Sequence, residues 1–563
     1  MSLALTEKFL AKLLGFTGAF TTLILVSGSV TDPVNTPKMV AIGIFGFSAL
    51  SIVLLTNLKK TLYSNKLMLF NTILFLLFLA TSSFVSNAPF SQVLYGSYGR
   101  NNGLLTYVCL SFILLATMSL NSIVSFNSII KGFMTAGVLN VAYCLWVIFF
   151  GDFISWYNPY KSPLGTLGNP NFIGAFLGMF FAALSALIFD LKSSKFTKTL
   201  AIVLLPIVVF EILKTNAIQG RVVAIAGLAI VIFFFLKAKF NTIVVGCYTI
   251  FITIGGGFAL AGALQMGPLA QYIYKTSVSL RGQYWLAGWN TGQTHPFTGV
   301  GMDAFGDWYR RMRDARALEL PGVNTVVNAS HNVPLDLFAF GGWPLFLTYL
   351  TTLVITMIAI IKTLKRTKIA DLNFVILVSV WFGYQLQSLI SINQIGLAIW
   401  GWILSGALIS YERVSRVYKN DNTNQATTTP KIVRNSKVNL PAQVPLFAVS
   451  GGLIGLLLTL PPLSADLTWM AASKQHTISG VEEALKVSYF NPPNSVKYLQ
   501  AVQTFEQNGL FDLAKKYALQ AVAWNPDSFD AWRVLYSIKN TTEEEKNLAL
   551  KNMKRLDPLN KEI

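Results

Sequence analysis

Long apolar runs recur along the first 465 residues, separated by short polar connections. They fall at roughly 11–29, 38–58, 66–86, 103–123, 129–151, 171–190, 197–214, 220–236, 240–262, 332–361, 371–391, 394–412 and 445–463. A helix of about 20 apolar residues crosses the ~30 Å hydrocarbon core of a bilayer. The pattern therefore predicts an all-α, polytopic transmembrane bundle of about 12–13 spans. No small-residue cleavage site follows the first run, which reads as a retained span. Two stretches stand outside the bundle, a large connection at 263–331 and a tail at 464–563.

The polar connections orient the bundle. Lys59, Lys60 and Lys66 follow the second run, Lys192, Lys195 and Lys198 the sixth, and Lys237 and Lys239 the eighth. Lys362, Lys365, Arg366 and Lys368 follow the tenth, and Arg413, Arg416 and Lys419 the twelfth. With Lys8 and Lys12 all lie on one side, which the positive-inside rule makes cytoplasmic. An odd number of spans then puts the large loop and the C-terminus outside. Residues 413–443 read as a basic, Asn/Thr-rich cytoplasmic linker and 444–463 as the last span. In the tail, Asn491-Pro492 and Asn525-Pro526 are 34 residues apart. That period resembles tetratricopeptide repeats, which stack into a small α-solenoid and bind protein or peptide. The expectation is that the tail recruits an acceptor or envelope partner and is not needed for chemistry.

Composition agrees with a membrane class. The chain is 53% hydrophobic and only 12% charged, too little charge to cover a soluble protein of this size. The net charge of +19 belongs to the cytoplasmic loops, so nucleic acid is not an expected partner. Cys109, Cys144 and Cys247 lie in apolar runs without metal-ligand spacing.

The spans carry few acidic groups, Glu211 and Asp336 being the main ones, which weighs against a flippase or transporter with a midplane relay. Arginines gather instead on the outer side: Arg100, Arg221, Arg281, Arg310, Arg311, Arg313 and Arg316. A guanidinium fork matches phosphate oxygens, although an isolated one only snorkels to headgroups. Of the three histidines, His331 alone stands beside both the Arg-rich loop and a helix mouth; His295 lies in a turn, and the third is His476. A lipid-linked sugar pyrophosphate fits these features. Arg residues neutralise the leaving pyrophosphate, and a neutral imidazole takes the acceptor hydroxyl's proton, losing that ability as it charges near pH 6–7. No metal or other cofactor is called for. The segment GNPNFIGAFLG from residue 168 has blander uses: Asn169 extended before Pro170, Asn171 as a helix cap, and Gly174/Gly178 for close packing.

Four stretches in this order carry a resemblance: YGSYGRNNGLLTY from 95, GTLGNPNFIGAFLG from 165, RGQYWLAGWNTGQTHPFTGVGMDAF from 281 and SHNVPLDLFAFGGWPLF from 330. Over roughly residues 11–412 the chain resembles the bacterial O-antigen ligase and polymerase superfamily. The resemblance implies a multi-pass enzyme of the bacterial cytoplasmic membrane, with residues 1–412 as its catalytic domain. Such an enzyme moves an oligo- or polysaccharide from a polyprenyl-pyrophosphate carrier to a glycan, lipid or protein acceptor. His331 matches the family histidine, Arg281 the arginine opening the large loop, and Arg100 the arginine before the fourth span; Asn332 follows in the histidine motif. Where members have Ser-Arg-Gly, this chain has Gln219 at the arginine position and Arg221 two residues later, about 200° around a helix. Ligase and polymerase need the same donor chemistry, so both remain open.

Overall fold

The computed structural model describes residues 2–273, 276–367, 369–424, 440–475 and 477–563; His476 and most of the predicted linker lie outside them. The described residues are helical, with no named strand. A helix occupies each of the predicted apolar segments, and most boundaries fall within a few residues. Among the described residues, nine helices are long and apolar enough to cross a membrane, from Asn35–Leu55 to Ile395–Val417. The pair Gln443–Thr459 and Pro461–Gln475, bent by 50°, makes up to ten. The chain is a multi-pass helical membrane protein.

The shortfall against 12–13 has a physical cause. Leu104–Met118 has 15 residues and Leu372–Ser388 has 17, short of a bilayer at the usual helical rise. Both are largely buried by neighbouring helices, so their apolar character serves packing as well. The first helix, Ser2–Leu23, starts earlier than the apolar run and includes Glu7, Lys8 and Lys12. The last predicted span ends at Thr459 and bends into the tail. The helix Ile395–Asn424 also runs into the start of the predicted linker.

Connections gather at two ends. At one, Arg413 donates to the Met118 carbonyl (3.0 Å), Lys237 to the Thr367 carbonyl (2.9 Å), and Arg366 pairs with Glu412 (2.5 Å). Cations there cap helix C-termini, where carbonyls lack partners. At the other, Asn102 donates to the Asn393 carbonyl (2.6 Å), Asn35 to that of Gly99 (2.7 Å) and Gln219 to that of Ile390 (3.2 Å). The latter end carries every predicted site residue.

The tail has its own core, formed from small and aromatic side chains such as Ala501, Ala518, Ala521, Phe505 and Trp532. It contains two helical hairpins, Ser495–Gln507 with Phe511–Trp524 and Phe529–Ser537 with Glu543–Leu556. Their caps, Asn494 and Ser528, keep the 34-residue spacing read from the Asn-Pro pairs.

Candidate active site

Residues 281–342 fold into a scaffold around one histidine. The helix Thr276–Thr294 presents Arg281, Tyr284 and Trp285. The glycine-containing turn 296–301 then lies against the helix Val333–Arg366. Val300 and Gly301 N–H groups donate to the Ala339 and Phe340 carbonyls, each at 3.0 Å, and Trp343 N–H donates to the Pro296 carbonyl at 2.7 Å. Those carbonyls are free because the helix breaks at Gly342 (φ 65°, ψ −165°). The segment predicted as one span is thus a short helix, 333–341, set on a longer one. Gly299 has φ +65°, and a Cβ there would stand 2.1 Å from the Phe340 oxygen, so the turn requires glycine.

His331 precedes the short helix with φ +58°, in the left-handed region that non-glycine residues seldom occupy. Its Nδ1 donates to the Ala329 carbonyl at 3.1 Å in the neutral tautomer that leaves Nε2 as the basic nitrogen. The ring packs on Tyr284, centroids 5.2 Å apart. Burial lowers its pKa from 6.5 to about 4; the Ala329 bond opposes this, while Arg281 and Arg100 add to it. The imidazole is therefore neutral at pH 7, and both guanidiniums stand near enough to act on it. Arg281 is half-buried, its own pKa lowered by burial, and has no hydrogen-bonding or carboxylate partner among the described residues.

Arg100 is held differently. It pairs with buried Asp303 at 3.1 Å and donates to the Asn328 carbonyl; its Nε is buried without an acceptor among the described residues. Asp303 also accepts from the Ser97 N–H at 2.7 Å. Burial raises the Asp303 pKa, with Arg100 and these N–H groups opposing. Asp336, read from sequence as a midplane candidate, lies in the short helix and accepts from the Ser330 N–H (2.7 Å) and Oγ (2.8 Å). It anchors the residue before His331. Asp303 escaped the sequence reading, although Gly-Met-Asp within the glycine turn was its signal: Asp303 adopts φ +55°.

Two further predicted residues, Asn332 and Gln219, meet at one turn. Asn332 caps the short helix, accepting from Leu335 N–H at 3.0 Å, and donates to the Leu389 carbonyl at 3.0 Å. Gln219 donates to the adjacent Ile390 carbonyl, and its buried Oε1 has no partner among the described residues. The same turn thus holds Gln219 and Asn332, while Arg221 is exposed. Gly174 and Gly178 pack directly on Gly220, as the small-residue spacing predicts. The cap of Pro170–Phe189 is Asn169, which accepts from Asn171 N–H, and not Asn171 as expected. Extended φ before Pro170 places the Asn169 side chain over the helix start. His295 is exposed, with Nδ1 3.0 Å from Thr294 Oγ1 and its carbonyl accepting from Gly299 N–H, a turn residue as read.

The remaining arginines read from sequence as outer do not form a free anion site. Asp557 of the tail receives Arg313 at 2.7 Å and Arg310 at 3.1 Å, all three buried. Arg311 pairs with Asp527 at 3.3 Å, and Arg316 stays exposed. Arg310 and Arg313 both donate to the Val323 carbonyl as well. Sequence spacing revealed the basic cluster but not its partners more than 200 residues away. No family model matches the chain, and no curated protein matches it.

Proposed function

We propose that the chain is a membrane glycosyltransferase that moves a glycan from a polyprenyl pyrophosphate to an acceptor hydroxyl. In this reading the bundle lies in the cytoplasmic membrane of a bacterium, with the N-terminus inside and the large loop and tail outside. The observation that carries it is the convergence of a neutral, strained histidine with two guanidiniums, one of them without a hydrogen-bonding or carboxylate partner among the described residues. Arg281 binds the pyrophosphate, Arg100 adds positive charge from its place beside Asp303, and both stabilise the charge that develops as the sugar leaves. His331 Nε2 accepts the hydroxyl proton as oxygen attacks the anomeric carbon from the opposite face, inverting it. Bound pyrophosphate offsets the two guanidiniums, so donor binding raises the basicity of His331, while burial, the main cause of its low pKa, remains.

Ligase and polymerase share this step, and deletion of the gene separates them. Complete lipid-linked glycans left unattached indicate a ligase; attached single repeats indicate a polymerase. Unchanged surface glycans and carrier pools would remove the transferase reading. A flippase is the reading of another class; it would instead leave the lipid-linked glycan on the cytoplasmic side.

A further inference from the structure

A cavity of about 220 Å³ lies between the tail and the candidate active site. Its walls come from 91–101, 306–328 and 462–530, segments far apart in sequence. It reaches the active site through Asn328, whose carbonyl accepts from Arg100, and through Asn101, the next residue. The volume falls below the roughly 300–1,000 Å³ of pockets for drug-sized ligands and suits one or two small rings.

The wall chemistry narrows the occupant. Tyr95, Trp524 and Phe529 supply aromatic surface from both sides. Among them stand hydrogen-bonding groups, including Asp307, whose carboxylate accepts from Gln92 (3.0 Å) and from Asn525 (3.1 Å). The two cations present are already engaged, Arg310 by Asp557 and Lys497 by the Ala465 carbonyl at 2.5 Å. A phosphate finds no unpaired arginine there, and the polar share of the wall, Gln92, Asn101, Asp307, Asn328 and Asn494 among it, disfavours a purely apolar ligand. A sugar ring satisfies both halves: its C–H face lies on an aromatic ring while its hydroxyls bond to carboxylate and amide.

Building on the transferase reading, we propose that this cavity is a glycan subsite, holding an uncharged sugar ring one or two units from the reacting centre. The tail then contributes directly to glycan recognition. The ring comes either from the donor's distal residues or from a glycan acceptor.

The full-length protein in detergent is titrated with glycan released by mild acid from the producing cells' lipid carrier, followed by tryptophan fluorescence. Trp524→Ala is expected to weaken binding at least 10-fold, and Trp524→Phe to restore most of it. Because Trp524 packs on the tail core, Ser495→Trp is a second variant. It fills the cavity, removes no hydrogen bond given above, and is expected to abolish binding in a normally folded protein. Wild-type affinity in both Trp524→Ala and Ser495→Trp, or no saturable binding by wild type, would overturn the subsite. In turnover, a rise confined to the donor KM assigns the ring to the donor, and one confined to the acceptor KM assigns it to the acceptor. Loss of kcat in His331→Asn with normal kinetics in both cavity variants removes the subsite and leaves the transferase intact. Fluorescence binding lost in the cavity variants, with His331→Asn fully active, retains the subsite and removes the proposed base.

Discussion

Asp557 is the residue on which the tail's attachment depends most. Its carboxylate is fully buried, receives both Nη2 contacts of Arg313 (2.7 and 2.9 Å) and pairs with Arg310 at 3.1 Å. Asp557→Ala would leave two guanidiniums with side chains 0% and 5% exposed and no carboxylate. Removing one partner of a buried pair costs about 3–5 kcal/mol, because the remaining charge stays desolvated. At about 1.4 kcal/mol per decade, hydrogen exchange of the amides in Glu543–Leu556 should accelerate by roughly two to three and a half decades. The triple variant Arg310→Met/Arg313→Met/Asp557→Leu removes all three charges and should recover most of the protection. Exchange within threefold of wild type in Asp557→Ala would refute the reasoning, as would a triple variant no better than the single one. The same pairs oppose the expectation that the tail is dispensable. Truncation before it would bare Arg310 and Arg313 on the loop that ends at His331.

Arg281→Ala and Arg100→Ala should each reduce transfer by at least 10²-fold at normal protein levels, and Lys should rescue Arg281 only in part, since an ammonium lacks the bidentate fork; full activity in either Ala variant removes that residue from the site. Histidine needs its neutral form as a base, and neutrality holds above its pKa. The lowered pKa therefore puts the acid limb of kcat/KM, which reports the free enzyme, near pH 4 instead of 6–7, with the kcat limb higher because pyrophosphate offsets the guanidiniums. A kcat/KM limb at or above 6.5 contradicts that electrostatic picture. Gly299→Ala, forced to φ +65° against the Phe340 oxygen, should destabilise the loop by about 1–3 kcal/mol, read as a lowered melting temperature; an unchanged melting temperature would show that the turn relaxes freely. Cysteine placed at Asn540 should label from outside the cell, while one at Asn422 should label only after permeabilisation; the reverse overturns the orientation.

Much of the bundle was legible because hydrophobic period and length are local signals. The 34-residue spacing likewise placed both tail hairpins. What local patterns cannot show is which short apolar helices are hidden by neighbours, as for Leu104–Met118. Nor do they show a helix interrupted at one glycine, since Gly341 and Gly342 look alike in sequence but only Gly342 takes φ +65°. In the site, His331, Arg281 and Arg100 were readable as a set, and the structure brings them together. Their support was not: Asp303 meets Arg100 across 203 positions, and Asp557 meets Arg310 across 247. Such pairings are long-range consequences of the fold. A run of outer arginines therefore looked like one anion site, when the structure divides it between the candidate site and the tail.

The proposed chemistry meets its most direct test in His331→Asn. Asparagine tolerates the left-handed backbone and keeps a polar side chain, but it takes up no proton at useful pH. Purified enzyme would be given lipid-linked glycan and acceptor, with donor binding and single-turnover transfer measured separately. The account predicts transfer reduced on the order of 10²-fold or more with donor affinity within a few-fold of wild type. A near-normal transfer rate would contradict it, and loss of donor binding without a separate loss of rate would move His331 from the base position into the pyrophosphate clamp beside Arg281.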